Sequence, residues 1–174
     1  MSFFRYKTWL FDCDGVILDS NQIKSDAFYH TALPYGEEAA NELVKYHKAN
    51  GGISRFEKIE ILLRDIVCSD YTPDEVSDLV EEFGRYCIQK LNNCPETPGL
   101  RSILELLAKE CKVFVISGGR EDELRAVFKH RGLSNYFDGI YGSPMNKTEI
   151  LSKLRNKGHL IDPVVYIGDS RYDY

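Results

Sequence analysis

Short apolar runs alternate with amphipathic segments along most of the chain. The apolar runs predict buried strands of a parallel sheet, and they lie at 8–11, 113–116, 139–141 and 164–167. Between them, apolar residues recur every three or four positions, and this spacing predicts helices at 100–110, 121–130 and 147–155. Strands and helices that alternate in this way predict βαβ units. We therefore expect an α/β core with a doubly wound, Rossmann-like parallel sheet covered on both faces.

The segment after the first strand breaks this alternation. It contains no convincing strand, and its amphipathic stretches at 56–67 and 74–91 predict helices. Thr72 followed by Pro73 is typical of a helix start, with Thr72 as N-cap. The Pro- and Asn-containing stretch 93–99 is typical of a linker. We therefore predict a catalytic core formed by residues 1–20 and 95–174, with an inserted α-helical cap at residues 21–94.

The composition narrows the class of protein. The chain has 174 residues, of which 43% are hydrophobic and 28% charged, as in ordinary globular proteins. Its formal net charge of -5 argues against a nucleic-acid partner or an anionic membrane surface. No apolar run approaches the roughly 20 residues of a membrane span. Five cysteines without a CxxC spacing argue against a disulfide framework or a zinc site and fit a reducing cytoplasm.

Polar residues follow three of the predicted strands. They are the tetrapeptide DCDG at 12–15, the tripeptide SGG at 117–119, and GDS at 168–170 with Asp173 shortly after. Ligands of open parallel sheets bind outside the carboxyl ends of the strands, so these groups are expected to meet in one crevice. Any one of them alone is equally well explained as a turn or a helix cap. Their occurrence together favours a functional site.

The carboxylates indicate a metal. Asp12 and Asp14 are two residues apart and point the same way on a strand, so they repel each other unless a cation lies between them. Asp169 brings a third carboxylate to the same edge. Hard oxygen ligands around an anionic substrate are what Mg²⁺ prefers. The pattern therefore predicts a magnesium site that lets a phosphate approach.

Two further positions are candidates for phosphate binding. Ser117, with Gly118 and the glycine after it, suits a phosphate cradle made by a hydroxyl and by backbone N–H groups at the start of the following helix. Lys147 begins a predicted helix, where the helix dipole opposes a cation, and this placement hints at a function. Taken alone, the first pattern is also that of a plain strand-to-helix turn, and the second that of a surface lysine.

These residues resemble a known family. The segments FDCDGVILDS (11–20), VFVISGG (113–119), SPMNKTEIL (143–151) and YIGDSRYD (166–173) resemble, in order, the four motifs of the haloacid dehalogenase-like (HAD) hydrolase superfamily. The resemblance covers essentially the whole chain. The family's core normally continues past the fourth motif, whereas this chain stops at Tyr174. A shortened chain and a minimal variant are both open explanations.

The resemblance implies a role for each matching residue. It makes Asp12 the nucleophile that forms an aspartyl-phosphate and Asp14 the general acid and base. It assigns the transferring phosphoryl group to Ser117, Gly118 and Lys147. It assigns Mg²⁺ to Asp12, the main-chain carbonyl of Asp14, and Asp169, with Asp173 supporting that shell. Dehalogenases of the superfamily lack the second aspartate of the first motif, so its presence implies phosphoryl transfer.

The inserted segment is similar to the helical cap of the subclass that contains phosphoglycolate phosphatase and β-phosphoglucomutase. The run GGISR at 51–55 resembles a cap segment that places an arginine on the substrate of the sugar-phosphate mutases. Arg55 is therefore the candidate specificity residue, although a solvated arginine at a helix start fits equally well. Lys24 stands near the position where the mutases commonly have histidine. This difference counts against a mutase.

The leading hypothesis is a cytoplasmic, magnesium-dependent phosphatase that hydrolyses a small phosphorylated metabolite through an aspartyl-phosphate. A sugar-phosphate mutase with the same intermediate is the close alternative. An inactive module that binds phosphate or magnesium is another, and a receiver-type signalling domain ranks last because it would not carry an inserted bundle of this size. The natural substrate and the oligomeric state stay open.

Overall fold

The computed structural model of the protein describes residues 5–50 and 53–169. The chain divides into two compact units. The first comprises the described residues of Met1–Asp19 and Cys94–Tyr174, and the second comprises those of Ser20–Asn93. Each unit has its own buried core, and the two are described in turn.

The first unit contains a four-stranded sheet in which all neighbouring strands are parallel. The strands are β1 (Thr8–Phe11), β2 (Lys112–Arg120), β3 (Gly139–Ser143) and β4 (Val164–Ile167), and their order is β3-β2-β1-β4. β1 is buried along its whole length, as expected for an inner strand of a parallel sheet. The register places Phe11 opposite Val115 on one side and Ile167 on the other. The carboxyl ends of β1 and β4 therefore lie level, and Val115, two residues before Ser117, lies at the same height in β2.

Three helices of the first unit flank this sheet. They are α5 (Leu100–Glu110), α6 (Glu121–His130) and α7 (Lys147–Asn156). α7 buries Ile150 and Leu154 against Leu10, Phe114 and Ile116 of the two inner strands. Side chains alternate between the faces of a strand, so Trp9 and Phe11, whose rings stack on each other, serve the opposite face. The predicted doubly wound α/β core is confirmed.

β2 differs from its prediction because it does not end at Ile116. It continues to Arg120, which pairs with Ser143 across a register shift in the ladder to β3. Gly118 and Gly119 lie within this irregular stretch, and a β-bulge is a position where glycine is tolerated. The two glycines therefore belong to the strand, and helix α6 begins only afterwards at Glu121.

Every regular element in the described part of the second unit is a helix. Its α-helices are α1 (Asn21–Ala32), α2 (Glu37–Ala49), α3 (Arg55–Ile61) and α4 (Pro73–Leu91). The predicted start of α4 is confirmed, because the Thr72 side chain accepts a hydrogen bond from the backbone N–H of Glu75. α3 ends earlier than its periodicity predicts and passes into a π-helical turn, Leu62–Ile66. None of the helices described is both long and apolar enough to span a membrane.

Candidate active site

Asp12 is the first residue after β1 and is almost completely buried, with 7% of its surface exposed. Its backbone N–H donates to the carbonyl oxygen of Ile167, 2.9 Å away, so the pairing between β1 and β4 extends to this residue. Its carboxylate oxygen Oδ1 accepts a hydrogen bond of 2.8 Å from the N–H of Cys13. The fold therefore fixes both the backbone and the carboxylate of Asp12.

Lys147 lies beside this carboxylate. It is the first residue of α7, and its Nζ is 3.1 Å from Oδ2 of Asp12. Asn146 and Glu149 form a capping box at this helix start, since each side chain accepts from the backbone N–H of the other, both at 2.9 Å. The capping box fixes the point at which the lysine leaves the helix. The ion pair with Asp12 compensates a cation that the helix dipole disfavours at this end.

The electrostatics of Asp12 are those of a buried charge. Burial raises the pKa of its carboxyl group from 3.8 to about 6, against the attraction of Lys147 and with the help of the nearby Asp14 charge. The carboxylate thus carries a negative charge that its surroundings compensate only in part. Perturbed groups of this kind are common at functional sites.

Ser117 lies in β2 next to this end of β1 and is also buried. Its hydroxyl oxygen accepts a 3.1 Å hydrogen bond from the N–H of Gly119. Gly118 is exposed, and a side chain at that position would meet no atom within 4 Å. The expectation that these N–H groups form the first turn of the next helix is wrong, because the strand continues to Arg120. The hydroxyl and the open backbone at Gly118 nevertheless lie at the predicted edge.

Asp14 lies in a tight loop that follows Asp12. Gly15 has a φ of +71°, in the left-handed region that favours glycine, and its N–H donates to the carbonyl oxygen of Leu18 at 2.8 Å. The N–H of Leu18 donates in turn to the carbonyl oxygen of Cys13 at 3.0 Å. These bonds close the loop on itself, and Asp14 is half-buried within it.

The returning chain holds the same loop from outside, and sequence reasoning missed this contact. Thr97 donates through its hydroxyl to the carbonyl oxygen of Val16 at 2.5 Å and through its N–H to that of Ile17 at 3.1 Å. Leu18 and Glu96 form an antiparallel bridge. In sequence Thr97 is a polar residue of a linker, and no local signal distinguishes it.

Tyr166 is a second contributor that the sequence did not reveal. Its hydroxyl donates to the carbonyl oxygen of Ile116 at 3.0 Å, and its ring centre lies 5.6 Å from Nζ of Lys147. It therefore connects β4, Ile116 of β2 and the lysine. The only available signal was an aromatic residue with a polar tip in an otherwise apolar strand.

The predicted metal ligands are only partly brought together. Asp169 is exposed and follows the end of β4, and Asp173 lies outside the described residues. Within residues 5–50 and 53–169, no three His, Cys, Asp or Glu side chains group closely enough to form a metal site. The expected convergence of three carboxylates is therefore not seen among those residues, and the Asp12 carboxylate is paired with Lys147 instead. A set of two carboxylates and the Asp14 carbonyl remains chemically suited to Mg²⁺, since it is made of oxygen alone.

Arg55 and Lys24 belong to the second unit. Arg55 is the first residue of α3, and its guanidinium group lies 4.9 Å from the centre of the Phe83 ring of α4. It is partly exposed rather than fully solvated. Lys24 is partly exposed on α1. Both stay predictions as substrate contacts.

The sequence of this chain matches a family model. Residues 9–174 match the model of haloacid dehalogenase-like hydrolases. This range contains every candidate site residue. The chain belongs to this family. The resemblance drawn from the four motifs is thereby confirmed.

The individual proteins that resemble this chain share a quarter or less of their residues with it, or only slightly more. A phosphorylated carbohydrates phosphatase of Thermotoga maritima is 26% identical over 130 residues, which are 74% of this chain but 57% of that protein. The chain thus spans little more than half the length of this curated relative. Among solved structures, a predicted phosphoglycolate phosphatase from Haemophilus somnus is similar with a TM-score of 0.75 at 18% identity, covering 99% of this chain and 80% of its own. A candidate β-phosphoglucomutase from Thermotoga maritima is also similar, with a TM-score of 0.65 at 22% identity. The match covers 96% of this chain and 78% of that one.

Proposed function

We propose that the protein is a magnesium-dependent phosphatase that hydrolyses a small phosphomonoester through an aspartyl-phosphate on Asp12. The observation that carries this proposal is the environment of the Asp12 carboxylate. It is buried at the end of an inner strand, held by the Cys13 N–H at Oδ1 and paired with Lys147 at Oδ2. A fixed carboxylate with a cation beside it is suited to attack a phosphoryl group.

In the first step, an oxygen of Asp12 forms a bond to phosphorus and the bond between phosphorus and the ester oxygen breaks. Asp14 gives its proton to the leaving oxygen, so the alcohol departs neutral. In the second step, water attacks the same phosphorus, Asp14 takes the proton from that water, and the bond between phosphorus and Asp12 breaks. The products are an alcohol and inorganic phosphate, and both aspartates return to their starting states.

The remaining residues act on the phosphoryl oxygens. Lys147 can exchange its contact with Asp12 for a phosphoryl oxygen, which offsets charge and releases the carboxylate to react. Ser117 and the N–H of Gly118 lie at the same edge and can donate to the other oxygens. Tyr166 and the capping box of α7 hold the lysine in place.

The residues suited to hold Mg²⁺ are Asp12, Asp169 and the main-chain carbonyl of Asp14, with Asp173 as an expected supporting residue. A cation at the carboxylates would favour their ionised forms and would therefore lower the pKa of Asp12 that burial raises. When bound, the ion would neutralise carboxylate charge and draw electron density from the phosphoryl group.

The substrate class rests on the relatives. Since the curated relative is a phosphatase of phosphorylated carbohydrates, we propose a small phosphorylated carbohydrate or a related metabolite as substrate. The helical second unit is proposed to act as the cap that selects it, with Arg55 as one contact. Fold alone does not define the substrate.

The test is release of inorganic phosphate from p-nitrophenyl phosphate and from a panel of sugar phosphates, with Mg²⁺ and with excess chelator. We expect turnover only with the metal, and none in Asp12→Asn with its fold intact by circular dichroism. Mass spectrometry after rapid acid quench should show one phosphoryl group on the peptide that contains Asp12. Retention of activity in Asp12→Asn would reject the mechanism, and isomerised sugar phosphate without net phosphate release would favour the mutase.

A further inference from the structure

The second unit contains a lysine side chain that is almost completely buried. Lys58, in α3, is 2% exposed. Its Nζ lies 3.0 Å from Nδ1 of His47 on α2 and 5.4 Å from the centre of the Phe28 ring on α1. An ammonium group has three N–H donors, and the histidine nitrogen can accept only one of them. Among the described residues, no carboxylate forms an ion pair with Lys58.

One cation and one anion act on the charge of Lys58. Burial and the nearby charge of Lys24 lower the pKa of Lys58 to about 8, and the charge of Glu57 opposes this in part. The side chain therefore still carries its proton at neutral pH. Buried charges in proteins are normally paired or bound to a ligand of opposite sign. Within the described residues Lys58 has no ion pair with a carboxylate, and the charge of Glu57 compensates its own charge only in part.

Two more basic residues lie against a pair of aromatic rings, one of which is the Phe28 ring beside Lys58. Phe28 and Phe83 lie 4.4 Å apart between ring centres. The His47 ring lies 4.6 Å from Phe28, and the Arg55 guanidinium group lies 4.9 Å from Phe83. Helices α1, α2, α3 and α4 each contribute to this arrangement. We call Lys24, His47, Arg55 and Lys58 the basic cluster.

A purely structural role explains the cluster poorly. A buried lysine without an acidic partner is costly, and an apolar side chain of similar volume would fill the same space without that cost. Side chains that lower the stability of the fold are typically kept because they serve a function such as binding. Lys24, His47 and Arg55 are partly exposed, so a small anion can reach the cluster.

We propose that the basic cluster is an oxyanion-binding site, in which Lys58 donates to a carboxylate or phosphate oxygen and Lys24, His47 and Arg55 provide its positive surroundings. The anion has two possible sources. It is either a second acidic group on the phosphorylated substrate, which rests on the proposed function, or a separate small anion. Charge-assisted hydrogen bonds from Lys58 to an anion would be stronger than its present contact with the His47 ring.

The first experiment needs no catalytic activity. The histidine ring signals are followed by NMR while malonate or inorganic phosphate is added at constant ionic strength. The chain has four histidines, and we expect only His47 to show a saturable shift, in the millimolar range. Lys58→Met should remove this shift, whereas Lys45→Met, at an exposed position of α2, should retain it.

The absence of a saturable His47 shift with both anions, or an equal shift in Lys58→Met, would overturn the proposal. If Lys58→Met does not fold by circular dichroism, Lys24→Met replaces it and should weaken binding several-fold. An unchanged affinity there would equally overturn the proposal.

The second experiment separates the two sources of the anion. KM is compared for 2-phosphoglycolate, which carries a carboxylate, and for glucose 6-phosphate, which does not. A rise in KM of tenfold or more for the acidic ester alone in Lys58→Met assigns the anion to the substrate. If the wild type and Lys58→Met have equal KM values for both esters, and the wild type shows the saturable His47 shift, the site binds a separate anion. Absence of any turnover would contradict the proposed function but leave the NMR result readable.

Discussion

Replacement of Asp12 by asparagine should stabilise the metal-free protein at neutral pH. The carboxylate is buried, and burial raises its pKa more than the charge of Lys147 lowers it. The pKa is therefore raised from 3.8 to about 6. This shift already contains the attraction of Lys147. It corresponds to about 3 kcal/mol against the ionised form at pH values above 6, at 1.36 kcal/mol for each pH unit. Asparagine removes the charge, and its side-chain oxygen can still accept from the N–H of Cys13.

The sign follows from proton binding. Between pH 4 and 6 the folded protein holds the Asp12 proton more tightly than the unfolded chain does. The free energy of unfolding of the wild type therefore contains a contribution that is complete below pH 4 and is lost as the pH rises through 6. The variant has no such proton. The difference between the two proteins should be small at pH 4 and should favour the variant by about 1–3 kcal/mol at pH 7.5.

The assay is urea unfolding followed by circular dichroism in excess chelator at pH 4, 5, 6 and 7.5. The matched control is Asp122→Asn, since the exposed Asp122 has its pKa lowered by its hydrogen bonds to Arg120. That variant should be no more stable than the wild type at pH 7.5. If Asp12→Asn were less stable than the wild type at pH 7.5, the ion pair with Lys147 would outweigh burial. If the difference did not change with pH, the two effects would cancel. Either result would show the reasoning to be wrong.

Four further outcomes follow from the first unit. Thr97→Val should lower the free energy of unfolding by about 1 kcal/mol, the net value of one hydrogen bond, and should lower kcat more than it raises KM. Gly142→Ala should cost about 1–3 kcal/mol in urea unfolding, because its Cβ would collide with the carbonyl oxygen of Gly119, whereas Gly118→Ala should change stability by less than about 0.5 kcal/mol. Lys147→Met should reduce kcat/KM by at least about 100-fold with the fold retained, and a loss below tenfold would remove the lysine from the site. Activity should require Mg²⁺ and fall when Ca²⁺ replaces it, as phosphate release would show, and full activity in excess chelator would contradict the metal site.

The sequence predicted most of the core because its signals there are local. The limits of β1, β4, α5 and α6 depend on apolar periodicity and end signals within a few residues. The end of β2 was missed because a Ser-Gly-Gly run has the composition of a turn, and only its pairing with β3 keeps it in the sheet. The π-helical turn after α3 leaves no compositional mark that distinguishes it from a continued helix.

In the candidate site as well, residues with local signals were predicted and residues with long-range contacts were missed. Asp12 and Lys147 were predicted from motif and position, and the structure places them 3.1 Å apart. Thr97 and Tyr166 were missed because their contacts join positions 81 and 50 residues apart in the chain. Lys58 was missed as well, since helical periodicity does not distinguish a buried lysine from the exposed ones around it. Long-range contacts of this kind are visible only in three dimensions.

The pairing beside the Asp14 loop bears on how such proteins can diversify. The N–H of Asp19 donates to the carbonyl oxygen of Pro95 at 3.0 Å, next to the bridge between Leu18 and Glu96. The chain therefore leaves the first unit and re-enters it at adjacent points that hydrogen bonds already join. A tight hairpin turn could close this gap in place of the whole intervening segment, and a different segment could be inserted there without altering the sheet. Recombination at these two positions would exchange the helical unit as one module and leave Asp12 at its place after β1.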